Sequence, residues 1–145
     1  YEHAFEVMPV LVSFIPMLMD TGGNCGSQSS TLIIRGLAID EIKFSDFFKV
    51  VFKEFRISIV VGIMLGIANG IRIVLLNHDV YLAFVVSASI VVTVMISKFV
   101  GCVLPIVAKR LKMDPAIMAA PLITTIVDTL AIMVYFSIAS QIFNL

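Results

Sequence analysis

Two groups of residues in this 145-residue chain have the types and spacing to do chemistry. The first centres on a lone carboxylate. Asp128 lies in the middle of Pro121-Leu122-Ile123-Thr124-Thr125-Ile126-Val127-Asp128-Thr129-Leu130-Ala131-Ile132-Met133-Val134-Tyr135, with no cation nearby in sequence. A charged side chain at the centre of a bilayer costs about 2.5 to 3.5 kcal/mol on insertion scales, so it faces protein or a water-filled path and is functional by default. At helical spacing Ala120, Thr124, Asp128 and Ala131 share one small, polar face, the profile of a pore-lining stripe. The second group is Gly22, Gly23 and Gly26 with Asn24 and Gln28, which interrupt an apolar run that resumes at Leu32-Ile33-Ile34. An interruption at membrane depth frees backbone groups, which must then face protein or water. Gly22 and Gly23 are expected to let the backbone turn, Asn24 and Gln28 to satisfy the freed groups, and the break to mark a binding or conduction site.

Composition says what positions these residues. Hydrophobic residues make up 60% of the chain and charged ones 14%, there is no Trp, and mean hydropathy is +1.09. A soluble domain of this size is nearer half apolar and a quarter charged, so the expected fold is an all-α membrane protein, a bundle of transmembrane helices. Nothing resembles a P-loop, a dinucleotide fingerprint or a nucleic-acid patch, so no nucleic-acid partner is expected.

The whole chain, 1–145, reads as one transmembrane domain. A first, glycine-broken segment covers about 4–38 and carries Pro9 and Pro16, with Glu2, His3 and Glu6 at the interface ahead of it. It lacks the layout of a signal peptide. Residues 39–53 alternate charges with Ile42, Phe44, Phe47 and Phe48, and read as an amphipathic connector on the membrane surface, with Ser45 as a cap for the next helix. Spanning helices follow at 54–76, 80–108 and 115–143. Gly62, Gly66 and Gly70 repeat every four residues, a spacing that lets another helix approach closely. Lys98, past the middle of the third segment, can snorkel to the nearer surface or pair with a carboxylate; snorkelling is the reading favoured here. Asp114-Pro115 has the form of an N-cap followed by Pro at the first helical position.

Charge sets the topology. Arg35, Lys43, Lys49, Lys53, Arg56, Lys109, Arg110 and Lys112, eight of the ten basic residues, fall on one face when the four segments alternate. By the positive-inside rule that face is cytoplasmic, in a multi-pass protein of the plasma (inner) membrane. Both termini then lie outside, which leads us to expect a further spanning segment before Tyr1.

The run Pro16 to Ala38, with Gly22-Gly23-Asn24, Gln28 and Thr31-Leu32-Ile33-Ile34-Arg35-Gly36-Leu37-Ala38, closely resembles the membrane domain of the MgtE magnesium channels. Asp114-Pro115-Ala116 through Pro121-Leu122-Ile123-Thr124-Thr125 to Asp128 and Tyr135 is similar to that family's last helix. The resemblance covers essentially the whole chain and aligns it with helices two to five of five. It implies a homodimer with the pore on its two-fold axis, lined by the helices that hold these two motifs, and no enzymatic activity. It also implies that Asp128 from each subunit holds a largely hydrated Mg2+, or Mn2+, Co2+ or Ca2+ at the same site, with the Thr124 carbonyl as an outer contact. Pro121, Thr125 and Ala131 then line or support the pore. An upstream helix and a cytoplasmic regulatory region belong to the family pattern outside this chain. Ala120 stands where Asn or Gly is the family habit, and Asp20 where a small residue is usual.

Other readings compete. The broken helix and Asp128 also suit a proton- or sodium-coupled secondary transporter. Asp20-Thr21-Gly22 spells the aspartic-protease triplet, with Asp128 as a second carboxylate. A purely structural subunit leaves a mid-membrane Asp unexplained. Cys25 and Cys102 show no CxxC pattern and read as packing residues, as do Met17 and Met19. His78, like His3, falls on the outer side.

Overall fold

The computed structural model describes residues 9–118 and 120–144, so the expectations for Glu2, His3, Glu6 and the start of the first segment lie outside the described residues. Among the described residues all regular structure is helical: α1 (Pro9–Ser13), α2 (Ile15–Ala38), α3 (Phe47–Asn77), α4 (Val80–Arg110) and α5 (Ala120–Phe143), with 3-10 turns at Phe44–Asp46 and Pro115–Met118. Among the described residues three helical stretches are long and apolar enough to cross a membrane: Phe44–Asn77, Val80–Arg110 and Ala120–Phe143. The 24 residues of α2 reach ~36 Å at 1.5 Å per residue, a comparable length. It is more polar, and it lies against α4 and α5.

The first segment is interrupted, but not where the glycines suggested. The break falls at Phe14, and Pro16 occupies the first turn of α2, where a missing N–H goes unmissed. The helix then runs unbroken through Gly22, Gly23 and Gly26, and no described glycine has a positive φ. Continuous helix satisfies every interior backbone group without outside partners, which is the least demanding solution in lipid. The glycines instead let neighbours in. A Cβ on Gly22 would come within 2.8 Å of both Thr93 and Val127, and one on Gly26 within 2.7 Å of Ile123 and Ser97. Gly101 of α4 abuts the Gly26 carbonyl oxygen itself, and the Ser97 hydroxyl donates to the Gly22 carbonyl.

α4 is the central helix, packed against α2, α3 and α5. The close approach expected of Gly62, Gly66 and Gly70 is realised on α4, at Ser87 and Val91, and Ser87 Oγ donates to the Gly66 carbonyl at 2.8 Å. Much of the rest of α3 stays apolar and uncovered, with Phe48, Val60, Met64, Ile67, Ile71 and Leu75 exposed. The main core gathers Leu18, Ile73, Leu82, Val86, Ile90, Tyr135 and Phe136, and the Tyr135 hydroxyl donates to the Leu11 carbonyl at 2.9 Å, tying α5 to α1. Cys25 packs against this core, and Cys102 is buried in a second cluster; both are free thiols.

Two boundaries differ from expectation. The connector is shorter than 39–53, because Phe47, Val50 and Val51 pack on Ile33, Leu37, Cys102 and Ile106, which anchors that stretch as the first turns of α3. Ser45 lies inside the 3-10 turn, while Asp46 Oδ2 accepts from the Lys43 N–H at 3.0 Å. Asp114 does cap, accepting from the Ala116 N–H at 2.9 Å, but it opens a 3-10 turn; the α-helix begins at Ala120 rather than at 115. The basic residues gather at one end as the charge pattern predicts. Lys109 Nζ donates to the last-turn carbonyl of Leu37 at 2.8 Å, and Arg110 lies over the Phe44 ring at 4.1 Å. At the other end His78 closes α3 with φ 55°, and Asp79 caps α4 by accepting from the Leu82 N–H at 3.0 Å.

Candidate functional site

The glycine contacts give the relative directions of the helices. Gly22 and Gly26 meet Thr93 and Ser97 of α4 in the same order, so these helices run parallel; on α5 they meet Val127 and Ile123 in reverse order, so that pair is antiparallel. Gly23 lies on Thr124, where a Cβ would come 3.0 Å from the threonine methyl. α2 therefore buries Gly22, Gly26 and Ser29. Its other side exposes Asp20, Asn24, Gln28, Thr31 and Arg35, which recur every three to four residues as a single polar stripe.

α5 carries this polar surface across the seam. Thr124 and Asp128 are half-buried one turn apart at the edge of the α2 contact, and Pro121, Thr125 and Thr129 are exposed beside them. Because Thr124 rests on Gly23, the turn holding Asp128 borders the α2 stripe near Asp20 and Asn24. Among the described residues Asp128 makes no hydrogen bond and no ion pair. The neighbouring hydroxyls share one orientation: Thr124 and Thr125 donate to the Pro121 carbonyl at 3.1 and 2.8 Å, and Thr129 to the Thr125 carbonyl at 3.0 Å. Their protons are thus directed into the helix, and their oxygen lone pairs remain as acceptors. With the carboxylate, they make a surface that accepts hydrogen bonds.

The expected site residues divide into three groups. Asn24, Gln28, Thr124, Thr125, Pro121, Ala120 and Asp128 all lie on or beside the polar face. Gly22 and Gly23 are buried beneath it as contact points, so Asn24 and Gln28 have no broken backbone to satisfy. Ala131 is 1% exposed and belongs to the packed face of α5, because its turn is covered where that of Asp128 is not. Among the described residues no three His, Cys, Asp or Glu come together as a ligand set. Asp20-Thr21-Gly22 lies within a continuous helix, its carboxylate exposed and its glycine packed on Thr93 and Val127.

Lys98 overturns the snorkelling reading. It is 5% exposed, with Nζ 3.1 Å from Ser29 Oγ and 3.7 Å from a carboxylate oxygen of Glu54. The carboxylate is the reason: an ammonium inside the bundle is held there by a countercharge, and snorkelling is the solution only when none is in reach. Glu54, itself 7% exposed, escaped notice in the sequence. A signal was present, since Glu54, Ser58, Gly62 and Gly66 repeat every four residues and form the buried face of α3.

The MgtE family model, described as a divalent cation transporter, matches residues 15–138. The magnesium transporter MgtE of Bacillus subtilis is 36% identical over 140 residues, which are 97% of this chain and 31% of that protein. Those of Thermus thermophilus and Enterococcus faecalis are 34% and 30% identical, over 96% and 97% of this chain and again 31% of theirs. The chain thus spans about a third of the length of these relatives. With its family-model match from α2 to α5 and its apolar spans, this multi-pass membrane chain belongs to the MgtE family of divalent cation transporters.

Proposed function

We propose that this chain is the membrane-embedded part of a transporter that passes hydrated Mg2+ along the polar face shared by α2 and α5, with Asp128 as the ion site. The observation that carries this reading is the half-buried carboxylate of Asp128 on a membrane helix, without a partner among the described residues and flanked by hydroxyls presented as acceptors. A hydrated cation shows water hydrogens to its surroundings, so a wall of acceptors is what it needs. Mg2+ gives up water reluctantly and is held through one or two carboxylates, so a lone carboxylate per chain suits it. The Thr124 carbonyl, one turn before Asp128, serves as an outer contact for the retained waters.

A single copy leaves this face open on one side. A second copy related by a two-fold axis presents the same face to it, encloses the path and supplies a second Asp128. Mass measurement and crosslinking in detergent should therefore give a dimer; a protein that stays monomeric while still binding metal would refute the shared pore. Gly23→Val should abolish Mg2+ flux while the protein remains inserted. Its branches must push Thr124, already in contact, and with it the turn that holds Asp128. Normal flux in that variant would show that the α2–α5 seam does not shape the path.

The readings that drew on a broken helix lose that part of their support. A proton- or sodium-coupled transporter drew on an unwound α2 together with Asp128; α2 is continuous, and the carboxylate is common to both readings. The protease reading rested on a triplet that is helical here, in a family of transporters rather than enzymes. The decisive experiment uses the chain reconstituted in liposomes, with Mg2+ entry followed by an internal indicator. Entry is expected on a Mg2+ gradient alone. Entry that requires an imposed proton or sodium gradient would replace the channel with a coupled transporter.

A further inference from the structure

The buried cluster of Glu54, Ser29 and Lys98 lies outside the ion path and joins three helices. Ser29 of α2 donates to Glu54 of α3 at 2.7 Å and accepts from Lys98 of α4 at 3.1 Å, so a single hydroxyl bridges the two charges. Ser29 is fully buried, and the two ionic residues nearly so. The Ser29–Glu54 bond links α2 to α3, beside the apolar contact of Ile33 and Leu37 with Phe47, Val50 and Val51.

The rest of the α2 packing explains why such a cluster is needed. In its middle α2 meets α4 through Gly22, Gly26 and Gly101, which bring backbones close and add no side chain there, while Leu18 on one side and Ile33 and Leu37 on the other pack into the apolar clusters. The glycine contact sets the distance between the helices but does little by itself to fix rotation about the helix axis. Directional bonds set the rotation. Ser29 lies on the side of α2 opposite the Asn24 and Gln28 stripe, so fixing Ser29 fixes which way that stripe points. Buried polar groups are known to specify register in helical assemblies even where they contribute little to stability.

We propose that Glu54, Ser29 and Lys98 are positioning residues: they hold α2 in the rotation that aims its polar stripe at the ion path. The proposal rests on the reading of that stripe as the path wall.

The test separates position from folding. Glu54→Gln/Lys98→Met removes both charges with little change in size, and should leave the yield of inserted protein and its melting temperature in detergent near those of the parent. Flux should fall at least tenfold. In a background with Cys25→Ala and Cys102→Ala, Asn24→Cys and Gln28→Cys report rotation through their rates of reaction with a charged, membrane-impermeant thiol reagent. The ratio of the two rates should shift at least threefold in the double variant, and Ser29→Ala should shift it in the same direction. The labelling needs no ion flux, so it reads the rotation even if the chain were to carry no Mg2+. An unchanged ratio in both variants overturns the proposal. So does a double variant that fails to insert, since the cluster would then be a folding element.

Discussion

Asp128→Asn is expected to weaken Mg2+ binding at least a hundredfold and to reduce uptake in parallel. The substitution keeps size and hydrogen-bonding capacity but removes the charge, and in a dimer it does so twice. A divalent ion about 5 Å from a carboxylate through water, at an effective dielectric near 20, gains about 7 kcal/mol before its own hydration is set against that. About 2 to 3 kcal/mol per carboxylate is a reasonable remainder, and a hundredfold loss corresponds to roughly 2.8 kcal/mol at 1.4 kcal/mol per decade. Asp128→Glu should be milder, because the charge survives and only moves by a methylene. Titration of bound metal, beside growth rescue of a host dependent on added magnesium, measures both effects. Near-normal affinity in Asp128→Asn would move the ion site elsewhere along the face, with the exposed carboxylate of Asp20 next in line.

Gly101→Ala should produce the largest loss of stability among the glycine variants. A Cβ there runs into the backbone carbonyl of Gly26, which no rotamer change can move aside, so α2 and α4 must separate. Overpacking costs about 1 to 3 kcal/mol, and a clash with backbone belongs at the upper end. Gly70→Ala is the contrast. Its Cβ would meet the Ser87 hydroxyl at 2.6 Å, a group that can rotate away. The expected loss there is about 1 kcal/mol, the size of the hydrogen bond Ser87 gives up to the Gly66 carbonyl. Thermal unfolding in detergent ranks the two; equal midpoints would mean that α2 and α4 are not held at the distance described.

The candidate site was legible in part, and its residues show why. Asp128 stood out because a carboxylate in fifteen otherwise uncharged residues is anomalous whatever surrounds it. Ala131 was assigned to the open stripe by helical spacing, which says that residues share a face but not whether a neighbour covers it. Thr129 was passed over for the converse reason, since helical spacing sets it off the Ala120-Thr124-Asp128 line and only the fold shows that its side of α5 is uncovered. The four-residue repeat marks Glu54 as facing inward, but Glu54 and Lys98 are far apart in sequence, and nothing local says that they pair.

Composition, periodicity and charge placement determined on their own that this is a helical membrane protein, which end gathers the basic residues, and that Asp128 is its exceptional residue. Each follows from the chain's exchange with its solvent, which a local stretch conducts by itself. Only the tertiary structure decided that the glycines of α2 are contact points in a continuous helix, that Lys98 is paired inside with Glu54 through Ser29, and that the α2 stripe borders the turn of Asp128. A glycine permits both a turn and a close approach, and a lysine both snorkelling and pairing. Which one occurs depends on the helix packed alongside, and that neighbour is set by contacts between segments distant in the chain.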